Sequence, residues 1–371
     1  MMEERILEIN VDDLHHGGVY SLVKSVIQNK DDSNIIDIAS IEKFENESNI
    51  ENLKEYGTTV YYVGYSKNKL LKQFICFNNL KKLIKTNRYN CVHIHGDVAN
   101  KLLVSGIAAQ KCGVKKIILH SHAAGVDGNH RKIKWIIHHI CNRFLKYIGT
   151  ELVACSDVAA KWMFPNVNQK SIKIINNGID LDKFRFDSKI REKIRKEIEL
   201  ENKYVVGHVG RFAYQKNHKY LIKVFSKVVE KNNKAVLLLI GEGPLESEVR
   251  NYVESLNIKN NVIFYGTSDK VNELFQAMDV FILPSHFEGL PIAGVEAQAS
   301  GLPVILSDQI TEETKLIEQV EFLPIVEESI TEWADSILKY KDIPRRDTYL
   351  ELNKKGFSIQ YTINTLLNLY N

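Results

Sequence analysis

Short apolar runs rich in β-branched residues alternate with amphipathic segments of helical period along almost the whole chain. Near-continuous apolar strands that alternate with helices are typical of parallel sheets with helices on both faces. The alternation runs from Arg5 to Ile175, starts again at Tyr204 and continues to Leu323. The pattern therefore predicts an α/β protein made of two doubly wound, Rossmann-like domains.

Two domains also suit the length, because 371 residues exceed what one typical hydrophobic core holds. A charged, turn-rich stretch from Asn176 to Asn202 marks the predicted boundary. We assign residues 1–176 to the first domain and residues 177–354 to the second. The last segment, about residues 355–371, is predicted to be a helix.

The five cysteines are odd in number and include no C-x-x-C pair, which argues against a disulfide framework and indicates a reducing compartment. The first residues, from Met1 to Arg5, contain no apolar signal-peptide core. No run of about 20 apolar residues follows them. We therefore expect a cytoplasmic protein.

The net charge of +3 does not indicate nucleic acid binding, but the basic residues are unevenly distributed. Seven Lys or Arg and no acid lie between Ser66 and Asn90, and five lie between Asn129 and Thr150. The same two stretches contain the aromatic residues Phe74, Phe77, Trp135, Phe144 and Tyr147. Basic and aromatic residues on a helix suit an anionic membrane surface. Solvated helix faces with aromatic residues in the core fit the composition equally well.

A pair of glycines, Gly17 and Gly18, follows the first predicted strand and precedes a helix. Glycine lets backbone amides approach a ligand, and a helix start favours an anion. The loop is not the G-x-G-x-x-G fingerprint, so a redox dinucleotide is disfavoured. Both an anion site and a plain tight turn fit the pair.

The second domain carries Gly210 and Arg211 after its first predicted strand, with Lys216 shortly beyond. A guanidinium and an ammonium that converge there can neutralise a diphosphate. Two solvated cations are the alternative. Further strand ends supply Glu242, in a Gly-Glu-Gly-Pro turn, and Thr267.

Two carboxylates, Glu288 and Glu296, are eight residues apart in a stretch that predicts strand, tight turn, short helix and strand. In open α/β sheets, ligands bind at the carboxyl ends of the strands. This pair therefore suits a ligand rich in hydroxyl groups. The carboxylates of a glycosidase flank a sugar from two sides, which fits one helix end less well.

Four histidines lie at two predicted strand ends, His93 and His95 at one and His120 and His122 at the other. We expect His120 and His122 on opposite faces of the sheet, with one of them facing a cleft between the domains. A histidine there can titrate, donate or accept a hydrogen bond. A metal site is conceivable, but no carboxylate or cysteine spacing supports it.

Together these residues resemble the family 4 glycosyltransferases of the GT-B fold, especially bacterial capsule and exopolysaccharide enzymes. The E-x7-E element from Glu288 to Glu296, with P-S-x-x-E-G-x-P around it, is the most specific feature. Gly210-Arg211 followed by Lys216 matches the phosphate-binding pair of the family. The resemblance implies two Rossmann-like domains that face each other across a cleft, with the C-terminal helix, about residues 355–371, packed back on the first domain.

The resemblance also implies the reaction, which is transfer of a sugar from a nucleotide-diphosphate sugar to an acceptor hydroxyl with retention of configuration. Arg211 and Lys216 would grip the diphosphate. Glu296 would hold the ribose hydroxyls, Glu288 would face the donor sugar, and His120 matches the cleft histidine of the family. The implied catalytic residues are His120, Glu288, Arg211 and Lys216. The other implied donor-site residues are Gly17, Gly18, Glu242, Thr267, Gly289 and Leu290.

The family base rate favours a uridine diphosphate sugar that delivers a hexose or N-acetylhexosamine. The acceptor would be a glycan or a lipid-diphosphate-linked saccharide, met at the inner face of the membrane. No metal cofactor is expected, because members of this fold do not need the D-x-D motif. An epimerase that uses the same nucleotide sugars, or a non-catalytic sugar-binding protein, stays an alternative.

Overall fold

The computed structural model describes residues 4–13, 18–31, 33–65, 69–128 and 130–370, with the backbone alone at Lys69 and Leu70. The chain divides into two compact units. Unit 1 contains Met1–Gly178 and Ile359–Asn371, and unit 2 contains Ile179–Ser358.

Unit 1 is built on a parallel sheet. The described strands are β1 (Glu4–Ile9), β2 (Asn34–Ser40), β3 (Val60–Tyr62), β4 (Cys91–Gly96), β5 (Lys116–Ser121), β6 (Glu151–Ala154) and β7 (Lys173–Ile174). Their order in the sheet is β3-β2-β1-β4-β5-β6-β7. The helices between them are α1 (Gly18–Gln28), α2 (Glu47–Glu55), α3 (Lys69–Asn87), α4 (Ala99–Lys111), α5 (Arg131–Leu145) and α6 (Asp157–Met163).

The core of unit 1 forms because its central strands are covered on both faces. Ile6 of β1 and Ile36 of β2 pack in one cluster with Val23 and Val26 of α1. Every residue of β4 is buried, although its sequence Cys-Val-His-Ile-His-Gly includes two histidines. Buried polar groups need hydrogen-bond partners, so this strand carries more than packing.

Unit 2 repeats the architecture. Its helices and strands begin with α7 (Leu181–Phe184), α8 (Ser188–Glu197), β8 (Tyr204–Val209), α9 (His218–Lys231), β9 (Ala235–Ile240), α10 (Glu246–Ser255) and β10 (Val262–Gly266). They continue with α11 (Val271–Ala277), β11 (Val280–Leu283), α12 (Ile292–Ala299), β12 (Val304–Ser307), β13 (Val320–Leu323), α13 (Ile330–Lys339) and α14 (Tyr349–Lys354). The described strands form a parallel sheet of order β10-β9-β8-β11-β12-β13.

The stretch interpreted as a turn-rich boundary contains two helices. Asp180 caps α7 by accepting a hydrogen bond from the amide of Lys183 at 3.1 Å. Asp187 caps α8 by accepting from the amides of Lys189 at 2.7 Å and Ile190 at 3.2 Å. Aspartate is a strong N-cap, which is why both helices start there. The sequence argument missed α8 because the helix is strongly polar and Ile194 is its one buried residue.

The last helix, α15 (Ile359–Tyr370), belongs to unit 1. Ile363, Leu366 and Tyr370 join the core cluster that contains the strands β1 and β2. At the start of the helix, the hydroxyl of Thr362 donates to the carbonyl of Asn176 at 2.8 Å and accepts from the amide of Gly178 at 3.0 Å. The prediction that the final helix packs back on the first domain is confirmed.

Candidate functional site

The loops that follow β8, β9 and β11 gather the charged residues that the sequence singled out in unit 2. The three strands are consecutive neighbours in the sheet and run parallel, so their carboxyl ends meet at one edge. That edge is where open α/β sheets bind ligands.

Two glycines let these loops cross in close contact. Gly241 has φ +133°, and a Cβ built on it would lie 2.3 Å from the carbonyl oxygen of Gly210. Gly243 has φ +158°, and its Cβ would lie 2.6 Å from the carbonyl oxygen of Phe212. The amide of Gly241 also donates to the carbonyl of Gly266 at 2.8 Å. Only glycine fits such contacts, so the glycines fix the loops against one another.

The carboxylate of Glu288 is held by three neighbours. Lys216 Nζ lies 2.7 Å from Glu288 Oε1, and the hydroxyl of Ser285 donates to the same oxygen at 2.8 Å. The side-chain amide of Gln215 donates to Glu288 Oε2 at 2.9 Å. Glu288 is 5% exposed, so the pair is largely desolvated and its geometry is fixed. The structure thus joins two predicted site residues, Lys216 and Glu288, in one ion pair.

Arg211 differs from Lys216. Its side chain is exposed, and its guanidinium has no hydrogen bond or ion pair with any residue that the structure describes. A guanidinium has five donors that match phosphate oxygens, so Arg211 is open to an anion from solution.

Glu296 lies on the short helix α12 and is half-buried. Loss of surrounding water raises the pKa of its carboxyl to about 8, while Lys183 acts in the opposite direction. Within the described chain its carboxylate has no hydrogen-bond partner. With this pKa, both the protonated and the ionised carboxyl are populated near pH 7. The protonated form can donate a hydrogen bond to a ligand hydroxyl, and both forms can accept one.

The remaining predicted residues are placed as follows. Glu242 and Thr267 are exposed on the loops after β9 and β10, whereas Gly289 and Leu290 are buried beside Glu288. Gly18 is the exposed first residue of α1. Gly17 lies outside the described residues.

Sequence reasoning missed Gln298, the buried amide of α12. Its nitrogen donates to the carbonyls of Gly294 at 2.9 Å and Thr314 at 2.8 Å. Its oxygen accepts from the amides of Leu316 at 2.9 Å and Ile317 at 3.2 Å. The bond to Gly294 lies within α12, and the bonds to Thr314, Leu316 and Ile317 anchor this helix, which carries Glu296, to the following segment. The available signal was a second polar residue, two positions after Glu296, in a helix whose other residues are apolar or glycine.

A buried histidine also lies beneath the loop of Gly210, and the sequence argument did not identify it. His208 Nδ1 donates a hydrogen bond to the carbonyl oxygen of Ile282 at 2.9 Å. Burial lowers the pKa of His208 to about 4, although the bond to Ile282 acts in the opposite direction. The neutral ring stacks parallel to Phe281, with 6.3 Å between ring centroids, and supports the loop from below.

The corresponding sheet edge of unit 1 gathers the four histidines. His93, His95 and His120 are at most 1% exposed, and so is Glu8 of β1. The prediction that His120 and His122 lie on opposite faces is wrong, because their ring centroids are 4.1 Å apart. Residues two apart along a strand share a face, and β5 ends at Ser121.

Glu8 supplies the carboxylate that the sequence spacing did not reveal. Its Oε2 lies 2.7 Å from His95 Nε2, and its Oε1 lies 3.3 Å from His93 Nδ1. One ring nitrogen from each of His93, His95 and His120 also lies within 4.8 Å of the others, as a shared metal ion requires. The hydrogen bonds of the cluster compete for these same nitrogens.

The helix α5 presents an apolar face to solvent. Its exposed residues include Ile133, Trp135, Ile136, Ile140 and Phe144, each more than half exposed. Its buried residues are His138, Asn142 and Leu145, so two of the three inward positions are polar. The alternative that the aromatic residues lie in the core is wrong for Phe74, Trp135, Phe144 and Tyr147, which are 51% to 67% exposed.

Two further observations concern membrane-spanning helices and the cysteines. In the part that the structure describes, no helix combines the length and the apolar character needed to cross a bilayer. The five cysteines are all free thiols.

Comparison with known proteins gives a consistent result over both units. Residues 31–183 match the family model "Glycosyltransferase Family 4", and residues 190–357 match "Glycosyl transferases group 1". The putative glycosyltransferase EpsF of Bacillus subtilis is 29% identical over 380 residues, which cover 100% of this chain and 97% of EpsF.

A second relative has a more specific name. The Escherichia coli "UDP-Gal:alpha-D-GlcNAc-diphosphoundecaprenol alpha-1,3-galactosyltransferase" is 30% identical over 250 residues, covering 64% of this chain and 63% of that enzyme. Among solved structures, HepE of Anabaena in complex with UDP and glucose has a TM-score of 0.75 at 16% identity, and 99% of each chain is covered. At this identity the likeness shows the fold alone, which is GT-B.

Proposed function

The chain belongs to the family 4 and group 1 glycosyltransferases of capsular and exopolysaccharide biosynthesis, and from that premise we propose the details of its reaction. The donor is a UDP-hexose or UDP-N-acetylhexosamine, and the product keeps the anomeric configuration of the donor. The acceptor is a hydroxyl of a glycan or a lipid-diphosphate-linked saccharide. The observation that carries the proposal is the ion pair of Lys216 with Glu288, together with Arg211, whose guanidinium has no partner among the residues that the structure describes.

The diphosphate of the donor fits the cations of unit 2. Breaking the bond between sugar and phosphate leaves negative charge on the departing diphosphate. The planar guanidinium of Arg211 donates hydrogen bonds to the charged phosphate oxygens. Lys216 adds an ammonium that is held by Glu288, whose carboxylate in turn accepts from Ser285. Groups that are positioned before the reaction stabilise developing charge without reorganisation, which is the main source of catalysis here. We expect no resident metal cofactor in this mechanism.

Glu296 and Glu288 divide the remaining contacts. Glu296 holds the ribose hydroxyls, since its carboxyl has no protein partner among the described residues. Glu288 holds the ammonium of Lys216 in position through their ion pair, and it faces the donor sugar. Glu242, Thr267, Gly289 and Leu290 line the nucleoside and sugar side, and Gly17 and Gly18 cap the diphosphate. Same-face substitution then lets the departing phosphate accept the proton of the acceptor hydroxyl.

His120 is the fourth residue that we assign to catalysis. It lies at the sheet edge of unit 1 with its Nε2 unbonded to any described residue. Burial, followed by the neighbouring His122 and His93, holds the pKa of His120 well below its usual range. We assign it a contact with a hydroxyl of the donor sugar.

The acceptor side is proposed to lie at a membrane. Ile133, Trp135, Ile136 and Ile140 expose apolar surface on α5, and basic residues flank it at Arg131, Lys132, Lys134, Arg143 and Lys146. An exposed apolar face with a basic rim suits the interface of an anionic bilayer. The galactosyltransferase relative is named for an undecaprenol-linked substrate, which supports a lipid-linked acceptor here.

The test is a transfer assay with a panel of UDP-sugars and synthetic lipid-diphosphate saccharides. NMR of the product compares its anomeric configuration with that of the donor. We expect transfer with one donor, retention, and loss of activity in Arg211→Ala. Lys227→Ala is the matched control, because Lys227 pairs with Glu230 on the surface of α9. Failure of every UDP-sugar to bind, or full activity of Arg211→Ala, would refute the proposal.

A further inference from the structure

The histidines of unit 1 form two hydrogen-bonded relays that start from one carboxylate. Strand register brings them together, since Glu8 of β1 is opposite His93 of β4, and His95 of β4 is opposite His120 of β5. In the first relay, His93 Nε2 lies 3.0 Å from His120 Nδ1. In the second, His95 Nδ1 lies 2.8 Å from His122 Nε2. Each relay begins at Glu8 and ends at a histidine.

Proton positions in the second relay follow from the charge of Glu8. Burial raises the pKa of that carboxyl, but His93 and His95 outweigh burial and hold the pKa far below its usual range. An ionised carboxylate accepts hydrogen bonds and donates none. His95 must therefore carry its proton on Nε2, which faces Glu8, and its Nδ1 must accept from His122 Nε2. His122 Nδ1 is left as a bare lone pair.

The first relay obeys the same logic through Tyr370 of α15. Burial and then Glu8 raise the pKa of Tyr370 well above its usual range, so the phenol keeps its proton and donates it to Glu8 Oε1. His93 Nδ1, 3.0 Å from the phenol oxygen, must then be a donor. His93 Nε2 accepts from His120 Nδ1, which leaves His120 Nε2 as a bare lone pair.

Both ends lack a donor. His120 Nε2 and His122 Nδ1 are buried and have no hydrogen-bond partner among the residues that the structure describes. Leaving a buried acceptor without a donor is unfavourable, so such atoms call for a ligand or water that donates to them. A hydroxyl can donate, whereas a diphosphate only accepts.

We propose that Glu8 is a positioning residue that fixes His120 Nε2 and His122 Nδ1 as paired acceptors for two hydroxyls of the substrate sugar. The proposal rests on the proposed function for the identity of that sugar. The two ends select hydrogen-bond donors and reject phosphate, which leaves the diphosphate to the cations of unit 2. Tyr370 supports the carboxylate and so ties the last helix to the site.

The histidines act as acceptors that orient the sugar. Burial and then the histidine neighbours hold the pKa of both His120 and His122 well below the usual range. A general base works best when its pKa lies near the operating pH, so these rings are weak bases. The titratable groups that face them are His93, His95 and Glu8. Burial and the neighbouring histidines keep the two ends neutral, whereas the carboxylate of Glu8 acts in the opposite direction on His122.

The direct test is the tautomeric state of each histidine in the full chain, read by ¹⁵N NMR with labelled histidine. We expect protons on Nδ1 of His93 and His120 and on Nε2 of His95 and His122. The reverse tautomer at His120 or His122, or a charged ring there at pH 7, would overturn the proposal. A stoichiometric metal in the purified protein, measured by elemental analysis, would also overturn it. Neither readout requires transfer activity, so failure of the proposed function would be distinguishable.

Two variants add a functional readout. Glu8→Gln turns one acceptor oxygen into a donor, which reverses a relay and places a proton on a terminal nitrogen. We expect kcat/KM for transfer to fall about 10- to 100-fold while the Kd for UDP stays unchanged. Tyr370→Phe keeps the carboxylate of Glu8 and therefore the tautomers of the histidines. We expect kcat/KM to fall less than about threefold. Unchanged tautomers and unchanged kcat/KM in a folded Glu8→Gln variant would contradict the positioning role.

Discussion

The two sheet edges use the same architecture for opposite electrostatic tasks. In unit 2, the loops carry the cations Arg211 and Lys216, and the carboxylate of Glu288 fixes one of them. In unit 1, the edge holds buried histidines around one buried carboxylate, Glu8. We propose that the first arrangement binds negative charge and that the second directs lone pairs toward hydroxyls. Similar folds therefore diverge through the residues at their strand ends, which is where α/β proteins place function.

Among the substitutions proposed here, Lys216→Ala should reduce activity most, because it removes the fixed cation that distinguishes unit 2 from unit 1. We expect kcat to fall about 10²- to 10³-fold, as for loss of one preorganised group that stabilises developing charge. The buried Glu288 also loses its partner, so the free energy of unfolding should fall by about 1–3 kcal/mol. Steady-state kinetics and urea titration measure the two effects.

The double variant Lys216→Ala/Glu288→Gln separates those effects. Removing the unpaired charge should restore much of the stability but none of the activity. Lys227→Ala is again the control that should match the wild type. Recovery of transfer in the double variant would show that the cation has no role in catalysis.

Acid should unfold unit 1 before unit 2. Burial lowers the pKa of four histidines in unit 1 and of two in unit 2 among the described residues, namely His95, His120, His122 and His138, and His208 and His218. The unfolded chain binds these protons more tightly, so the stability they contribute is present above about pH 6.5 and is lost as the pH falls toward 4. For His95 alone, whose pKa burial lowers to about 4, the loss reaches about 3 kcal/mol at that pH.

Hydrogen exchange measured by mass spectrometry between pH 7 and 4 resolves the two units. We expect the peptides of β4 and β5 to lose protection at a higher pH than those of β8 and β9. Simultaneous loss in both units, or earlier loss in unit 2, would contradict the difference in buried histidines.

Substitutions on α5 of unit 1 should weaken membrane binding, whereas a matched substitution in unit 2 should not. We expect this effect to be smaller than the preceding ones. Trp135→Ser/Phe144→Ser removes two exposed aromatic side chains of α5. We expect partitioning to anionic vesicles to fall by roughly 2 kcal/mol, about thirtyfold, and added salt to weaken the wild type as well. Flotation measures both. Leu350→Ser, which changes an exposed apolar residue of unit 2, is the control and should bind like the wild type.

The smallest predicted effect concerns Glu296. Ribose hydroxyls that donate to its carboxylate favour the ionised form, and burial raises its pKa to about 8. Affinity for UDP should therefore rise about tenfold from pH 7 to pH 9 and then level off. Calorimetry should detect proton release on binding at pH 7. Glu296→Gln should abolish the pH dependence, and a pH-dependent Glu296→Gln variant would refute this assignment.

The repeated strand–helix alternation was enough to predict two doubly wound units, because hydrophobic period depends on local sequence. The helix α15 was predictable from its apolar residues, whereas its packing on unit 1 was expected from the resemblance to the GT-B fold. The helices α7 and α8 were not predicted, since α7 is only four residues long and α8 is strongly polar with one buried residue. The neighbourhood of Lys216 and Glu288 follows from adjacent parallel strands, whose ends must meet.

The histidine cluster shows where sequence reasoning ends. The four rings were visible as candidates, but Glu8 is an isolated acidic residue in an apolar strand, and Tyr370 lies 362 residues away from it. Their meeting depends on strand register and on the packing of the final helix. Gln298 and Gln215 were missed for the same reason, because their hydrogen bonds connect segments that only tertiary structure brings together.

The central claim is that unit 2 binds diphosphate and that unit 1 binds sugar hydroxyls. A crystal structure of the protein with an intact UDP-sugar tests it most directly. The account predicts phosphate oxygens within hydrogen-bond distance of Arg211 and Lys216, with sugar hydroxyls donating to His120 Nε2 or His122 Nδ1. A diphosphate bound away from both cations, or phosphate oxygens against the histidines, would contradict it.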